Sequence, residues 1–130
     1  MPFTKQGKIE LLTSFKNNTY ELGLFASSLS GTNIFNNSAI LEDVASYEVD
    51  KIEYARKTIL PAEWTLDENN LELTLNKSKL YNMRIEDWEN IKGYFLIDEE
   101  EKLVLINIID IPIFMPKYSY VDININLKMS

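Results

Sequence analysis

Between Thr4 and Lys16 the apolar residues Ile9, Leu11, Leu12 and Phe15 recur at helical spacing, and Thr4 stands where a hydroxyl can cap the first turn. The pattern predicts a helix ending at Asn17-Asn18, with Gly7 inside it costing about 1 kcal/mol relative to alanine. The period then changes to two. Tyr20, Leu22, Leu24 and Ala26 alternate with Glu21, Gly23 and Phe25, which predicts a strand with one face more apolar than the other.

Residues 27–38, SSLSGTNIFNNS, are polar and turn-rich and read as a surface loop, with Ser28, Leu29, Thr32, Asn33 and Phe35 as candidate contact residues. In residues 40–49, ILEDVASYEV, Leu41, Val44 and Ala45 keep helical spacing while Tyr47 and Val49 do not. That segment reads equally as a short helix or an irregular connection. Residues 51–64, KIEYARKTILPAEW, read as a strand leading to a core tryptophan, Trp64.

Downstream, Leu71, Leu73 and Leu75 alternate with Glu72, Thr74 and Asn76, the mark of a strand with one face on a core and one in water. IKGYFLID and KLVLINII flank a charged turn at residues 98–102 and predict a hairpin. Pro112 and Pro116 bracket IFM, which places that segment at a sheet edge or in a crossover, because proline donates nothing to a ladder. Val121, Ile123, Ile125 and Leu127 alternate with Asp122, Asn124, Asn126 and Lys128 in a final strand. About six short strands with turn signals every ten residues or so predict a mainly β fold, an antiparallel β-sandwich with one short N-terminal helix. With no repeat and no linker, residues 1–130 read as a single domain.

At 130 residues and 45% hydrophobic content, folding removes roughly 70% of the unfolded surface from water. A net charge of -7 disfavours nucleic acid, whose phosphates need clustered Lys and Arg. Cysteine and histidine are both absent, which removes disulfides, thiolate metal sites, the usual nucleophilic triads and the commonest general base. The N-terminus lacks the apolar core of a signal peptide and no stretch is long enough to span a membrane as a helix, so synthesis without export is expected.

The carboxylates are the remaining candidates for chemistry. Asp98 to Glu101 sit in the expected hairpin turn, where repelling charges keep the turn in water. Asp67-Glu68-Asn69-Asn70 offers oxygen ligands without the spacing, glycine or distal glutamate of a calcium loop, so no metal or other cofactor is expected. Two-carboxylate hydrolysis would use Asp87 and Glu63, brought within about 10 Å. Tyr54, Trp64, Tyr81, Trp88, Tyr94, Phe95, Tyr118 and Tyr120 suit either core packing or a stacking platform for sugar; Trp88 is expected to close one end of the core. Arg56 is expected to lay its stem on Tyr54 or Trp64 and pair its guanidinium with a carboxylate or with carbonyls. Tyr54, Arg56, Trp64 and Trp88 are therefore the expected structural anchors.

The order of these features resembles small β-sandwich virion structural proteins of tailed bacteriophages, of the tail-fibre or head-decoration type. The resemblance is carried by Leu11-Leu12 in the first helix, the Leu24-Phe25 step, Tyr54-Ala55-Arg56, Trp64, Asp87-Trp88, and the strand from Tyr94 to Asp98. It spans residues 9–129, with Glu53 and Glu89 where members of that group often carry glycine. It implies a non-enzymatic protein located in the virion, made in the host cytoplasm, that assembles on capsid, tail, baseplate or fibre in symmetric copies. Its expected partners are other virion proteins, with no nucleic acid and no membrane. A carbohydrate-binding or host-surface adhesion module is the alternative.

Overall fold

The first helix, α1 (Lys5–Lys16), starts where its cap allows: the Thr4 hydroxyl accepts from the Gly7 N–H at 3.0 Å. A computed structural model describes residues 3–26, 40–45, 47–49, 54–81, 88–116 and 120–129. Adjacent helical positions point about 100° apart, so a helix laid on the sheets with Leu12 and Phe15 inward turns Leu11 to solvent. The expected stripe is therefore narrower than the sequence suggests, and Leu11 is 43% exposed.

Seven strands follow among the described residues: β1 (Tyr20–Ala26), β2 (Lys57–Ile59), β3 (Trp64–Asp67), β4 (Glu72–Tyr81), β5 (Trp88–Ile97), β6 (Leu103–Met115) and β7 (Tyr120–Lys128). They form two antiparallel sheets in a sandwich-like arrangement, one ordered β2-β1-β5-β6 and the other β3-β4-β7. The main core lies between them: Leu22, Leu24 and Leu96 from the first sheet meet Leu73, Leu75, Ile123 and Ile125 from the second. Tyr94 links the two, accepting from Asn107 Nδ2 at 3.1 Å and donating to the Asn124 carbonyl at 3.4 Å. Outside the second sheet, Asp122, Asn124, Asn126 and Lys128 face water, as their alternation requires.

Residues 54–64 are not one strand, and 51–53 lie outside the described residues. Lys57–Ile59 pair with Tyr20–Leu22, then a short 3-10 turn (Pro61–Glu63) carries the chain off the sheet, and Trp64 opens β3 in the opposite sheet. Pro61 has no N–H to continue a ladder, and the Glu63 carboxylate accepts from the Leu60 N–H at 2.8 Å, which fixes the corner. In residues 40–49 both readings hold in sequence. Leu41–Ala45 form a short helix, α2, and residues 47–49 run extended beside β1. Pro112 lies within β6, an edge strand, with Ile113 opposite Ile91 and Met115 opposite Trp88.

The outer face of the first sheet is not the wet face that alternation would give. Phe25 and Phe95 are fully buried there with Val44 and Ile97, and Tyr47, Leu103 and Ile106 pack around them. Register explains how two large rings lie flat on one sheet. Gly23 stands opposite Phe95, and Gly93 opposite Phe25. Each phenyl covers the glycine across from it, and the rings are nearly parallel with centroids 6.5 Å apart. A Cβ on Gly23 would enter the Phe95 ring, and one on Gly93 would enter both the Phe25 ring and the Asn107 carbonyl. We expect Gly93→Ala to lower the unfolding free energy by about 2–3 kcal/mol through overpacking, as read by urea denaturation.

Candidate functional site

The most concentrated group of polar side chains in the described structure lies along the outer edge of β1. That strand is covered on this side by two separate pieces. β2 pairs with Tyr20–Leu22, and residues 47–49 take over at the far end, with Val49 N–H donating to the Leu24 carbonyl (3.0 Å) and Ala26 N–H to the Tyr47 carbonyl (2.9 Å). Between them the Leu24 N–H finds no backbone acceptor among the described residues. The Tyr54 hydroxyl accepts from it at 3.0 Å and so stands in for the missing carbonyl.

That hydroxyl donates in turn to Glu48 Oε2 at 2.5 Å. Arg56 grips the same carboxylate with both ends of its fork, Nε to Oε2 and Nη2 to Oε1, each at 2.9 Å. The guanidinium also lies over the Phe95 ring, 5.6 Å from its centroid. The two charged side chains are 23% and 13% exposed, so the pair is largely shielded from water. Burial pushes the Tyr54 phenol well above its ordinary value, and the hydrogen bond to Glu48 adds to this. Arg56 is held still more firmly protonated than usual by its bond to Glu48, against the opposing effect of burial.

Of the residues singled out in the sequence, Arg56 pairs with a carboxylate as expected. The aromatic ring beneath its guanidinium is Phe95. Tyr54 acts through its hydroxyl and through an edge-on contact with Trp88 at 5.6 Å. Trp64 meets Phe15 and Tyr20 edge-on at 5.6 and 6.3 Å, at the opposite end of β1 from Trp88. Both indole N–H groups are buried and find no acceptor among the described residues. Glu48 and Phe95 have no signal of their own as parts of this group. The repeated Gly-x-Phe, at 23–25 and 93–95, is the one pattern from which the buried outer face could be inferred.

The candidate contact residues Ser28, Leu29, Thr32, Asn33 and Phe35 lie outside the described residues, as does Asp87. The acidic turns have structural work. Asp98 Oδ1 accepts from the Glu100 and Lys102 N–H groups, both at 2.9 Å, and Asp67 Oδ1 accepts from Asn69 and Asn70. A cleft of about 480 Å³ opens beside Asp98, Glu99 and Glu100, with Phe15, Asn18, Tyr20 and Val104 as its other walls. Among the described residues no three side chains of metal-binding type come together. No family model, curated protein or solved structure matches this chain.

This arrangement holds a strand edge closed. Arg56→Ala leaves Glu48 half-shielded without its cation, so we expect a loss of about 2 kcal/mol in unfolding free energy by denaturant titration, with no reaction abolished. The Tyr54 phenol gives a pH signature. Its folded pKa lies above the unfolded value near 10, so its contribution is complete below about pH 10 and is lost as pH rises further. We expect stability to fall above pH 10, and to fall less steeply in Tyr54→Phe, by up to about 1.4 kcal/mol per pH unit. Tyr20, raised chiefly by its own burial, supplies part of the slope that remains.

Proposed function

We propose that the chain is a structural protein of a tailed-phage virion, assembling on capsid, tail, baseplate or fibre through protein contacts and catalysing nothing. The observation that carries this reading is that most of the described residues of the phage-protein resemblance, the exposed Leu11 and Ala55 excepted, are among those that hold the sandwich together. Leu12, Leu24 and Phe25 are buried, Tyr54 and Arg56 close the β1 edge, and Trp64 and Trp88 pack at opposite ends of the core. A resemblance placed on fold-making positions supports a shared fold better than one placed on loops. The polar constellation nearest to a site is bound up in the strand edge, which favours a structural role over a chemical one.

The sugar-binding alternative gains nothing from the five candidate aromatics whose side chains are described, and Tyr118 lies outside the described residues. Trp64, Trp88, Tyr94 and Phe95 are buried and Tyr54 is half-buried, so none of these five forms a surface platform. Mass spectrometry of gradient-purified particles, from the phage whose genome encodes the chain, tests the proposal. Its peptides are expected at a constant ratio to the major capsid protein across the particle peak. Their presence in infected-cell lysate and absence from particles would sink the reading.

A further inference from the structure

The chain between β1 and β2 crosses the outer face of the first sheet without joining its ladder. It begins as α2, five residues long and too short to hold a helix alone. The Tyr47 N–H donates to the Val44 carbonyl at 2.9 Å and the Glu48 N–H to the Ala45 carbonyl at 3.3 Å. The helix therefore turns directly into the extended residues 47–49, and the two pieces form one body. That body covers the outer core: Val44 is fully buried in a cluster with Phe25, Phe95 and Ile97, and Tyr47 packs beside them.

Its attachment is slight for what it covers. It meets β1 at one isolated bridge, Glu48 opposite Phe25, flanked by the bonds from Val49 N–H to the Leu24 carbonyl and from Ala26 N–H to the Tyr47 carbonyl. On the other edge of β1, by contrast, β5 pairs along the whole of Glu21–Ala26. Val49 anchors one end in the main core. The remaining tie is the Glu48 carboxylate, held by the Tyr54 hydroxyl and the Arg56 fork. A segment with few backbone bonds to its surroundings opens at a lower free energy than the whole fold. Releasing this one breaks no pairing among the seven strands, so both sheets stay assembled.

We infer that α2 and residues 47–49 form a strap that lifts from the folded sandwich as one body, latched by the grip of Arg56 and Tyr54 on Glu48. Lifting bares the Phe25 and Phe95 rings and frees the Leu24 carbonyl and the Ala26 N–H, a short acceptor edge for an extended chain that stays closed while the latch holds. The inference rests on the attachment of the strap, and stands or falls independently of any place in a virion.

Native-state hydrogen exchange of the purified full chain tests it, read amide by amide by NMR at several urea concentrations below the unfolding transition. β1 supplies its own comparison, because the Ala26 N–H bonds to the strap while the Gly23 and Phe25 N–H groups face β5. Ala26 and Val49 are expected to exchange through one shared opening, with a shallow urea dependence and roughly tenfold or less of the protection of Gly23 and Phe25 removed only by global unfolding. Ile125→Val weakens the packing between the two sheets, which stays in place when the strap lifts. It is expected to speed Gly23 and Phe25 about fivefold and to leave Ala26 and Val49 unchanged. Arg56→Lys keeps the charge but loses the fork, and is expected to speed Ala26 and Val49 about tenfold. Equal protection and equal urea dependence in the two sets, acceleration of both sets by Ile125→Val, or unchanged exchange at Ala26 and Val49 in Arg56→Lys would each overturn the inference.

Discussion

Two phenyl rings lying flat on two glycines set the terms for the rest of this molecule. Because Gly23 and Gly93 have no side chains, Phe25 and Phe95 rest directly on the backbone across from them, and the outer face of the first sheet becomes a second small core. β1 is then buried on both faces, and a strand in that position must have every backbone polar group satisfied. Its inner edge is served by β5. Its outer edge is served by β2, by residues 47–49 and, at the gap between them, by a tyrosine hydroxyl.

From this constraint the Tyr54–Glu48–Arg56 group follows. A hydroxyl that must face a backbone N–H benefits from a fixed acceptor for its own proton, and Glu48 is that acceptor. A half-shielded carboxylate requires a cation, and the forked guanidinium of Arg56 supplies two bonds from one planar group that also caps the Phe95 ring. A lysine has the charge but neither the second in-plane donor nor the flat face. The network thus links segments far apart in sequence to one strand edge, and the same residues serve the backbone, the charge and the ring.

On the opposite edge of the same sheet no strand pairs with the outer side of β6 among the described residues. At β1 the chain commits several side chains to satisfying an edge, whereas β6 carries a long apolar edge with a single formal charge and no strand pairing with its outer side among the described residues. Natural sheets usually blunt such edges with charge, brevity or bulges: β2 and β3 are short, the outer row of β7 is polar, and the register of β6 on β5 is broken by bulges.

Local pattern determined much of this architecture without help. Period-two alternation marked β1, β4 and β7, Thr4 marked the start of α1, and the acidic turn at Asp98 between two apolar runs marked the β5–β6 hairpin, because each depends on residues within a few positions of one another. The pairing of Arg56 with a carboxylate was equally legible, since a guanidinium beside apolar residues needs one. Which carboxylate, which ring, and why Tyr54 is beside them were not, because those answers depend on strand register. The corner at Pro61–Glu63 is not legible because period two survives across it, and the burial of Phe25 is hidden because alternation assigns that position to water. A sequence records the faces of its strands; only the tertiary structure decides what covers them, since covering Phe25 takes Val44, Tyr47 and Phe95 from segments that no local pattern connects.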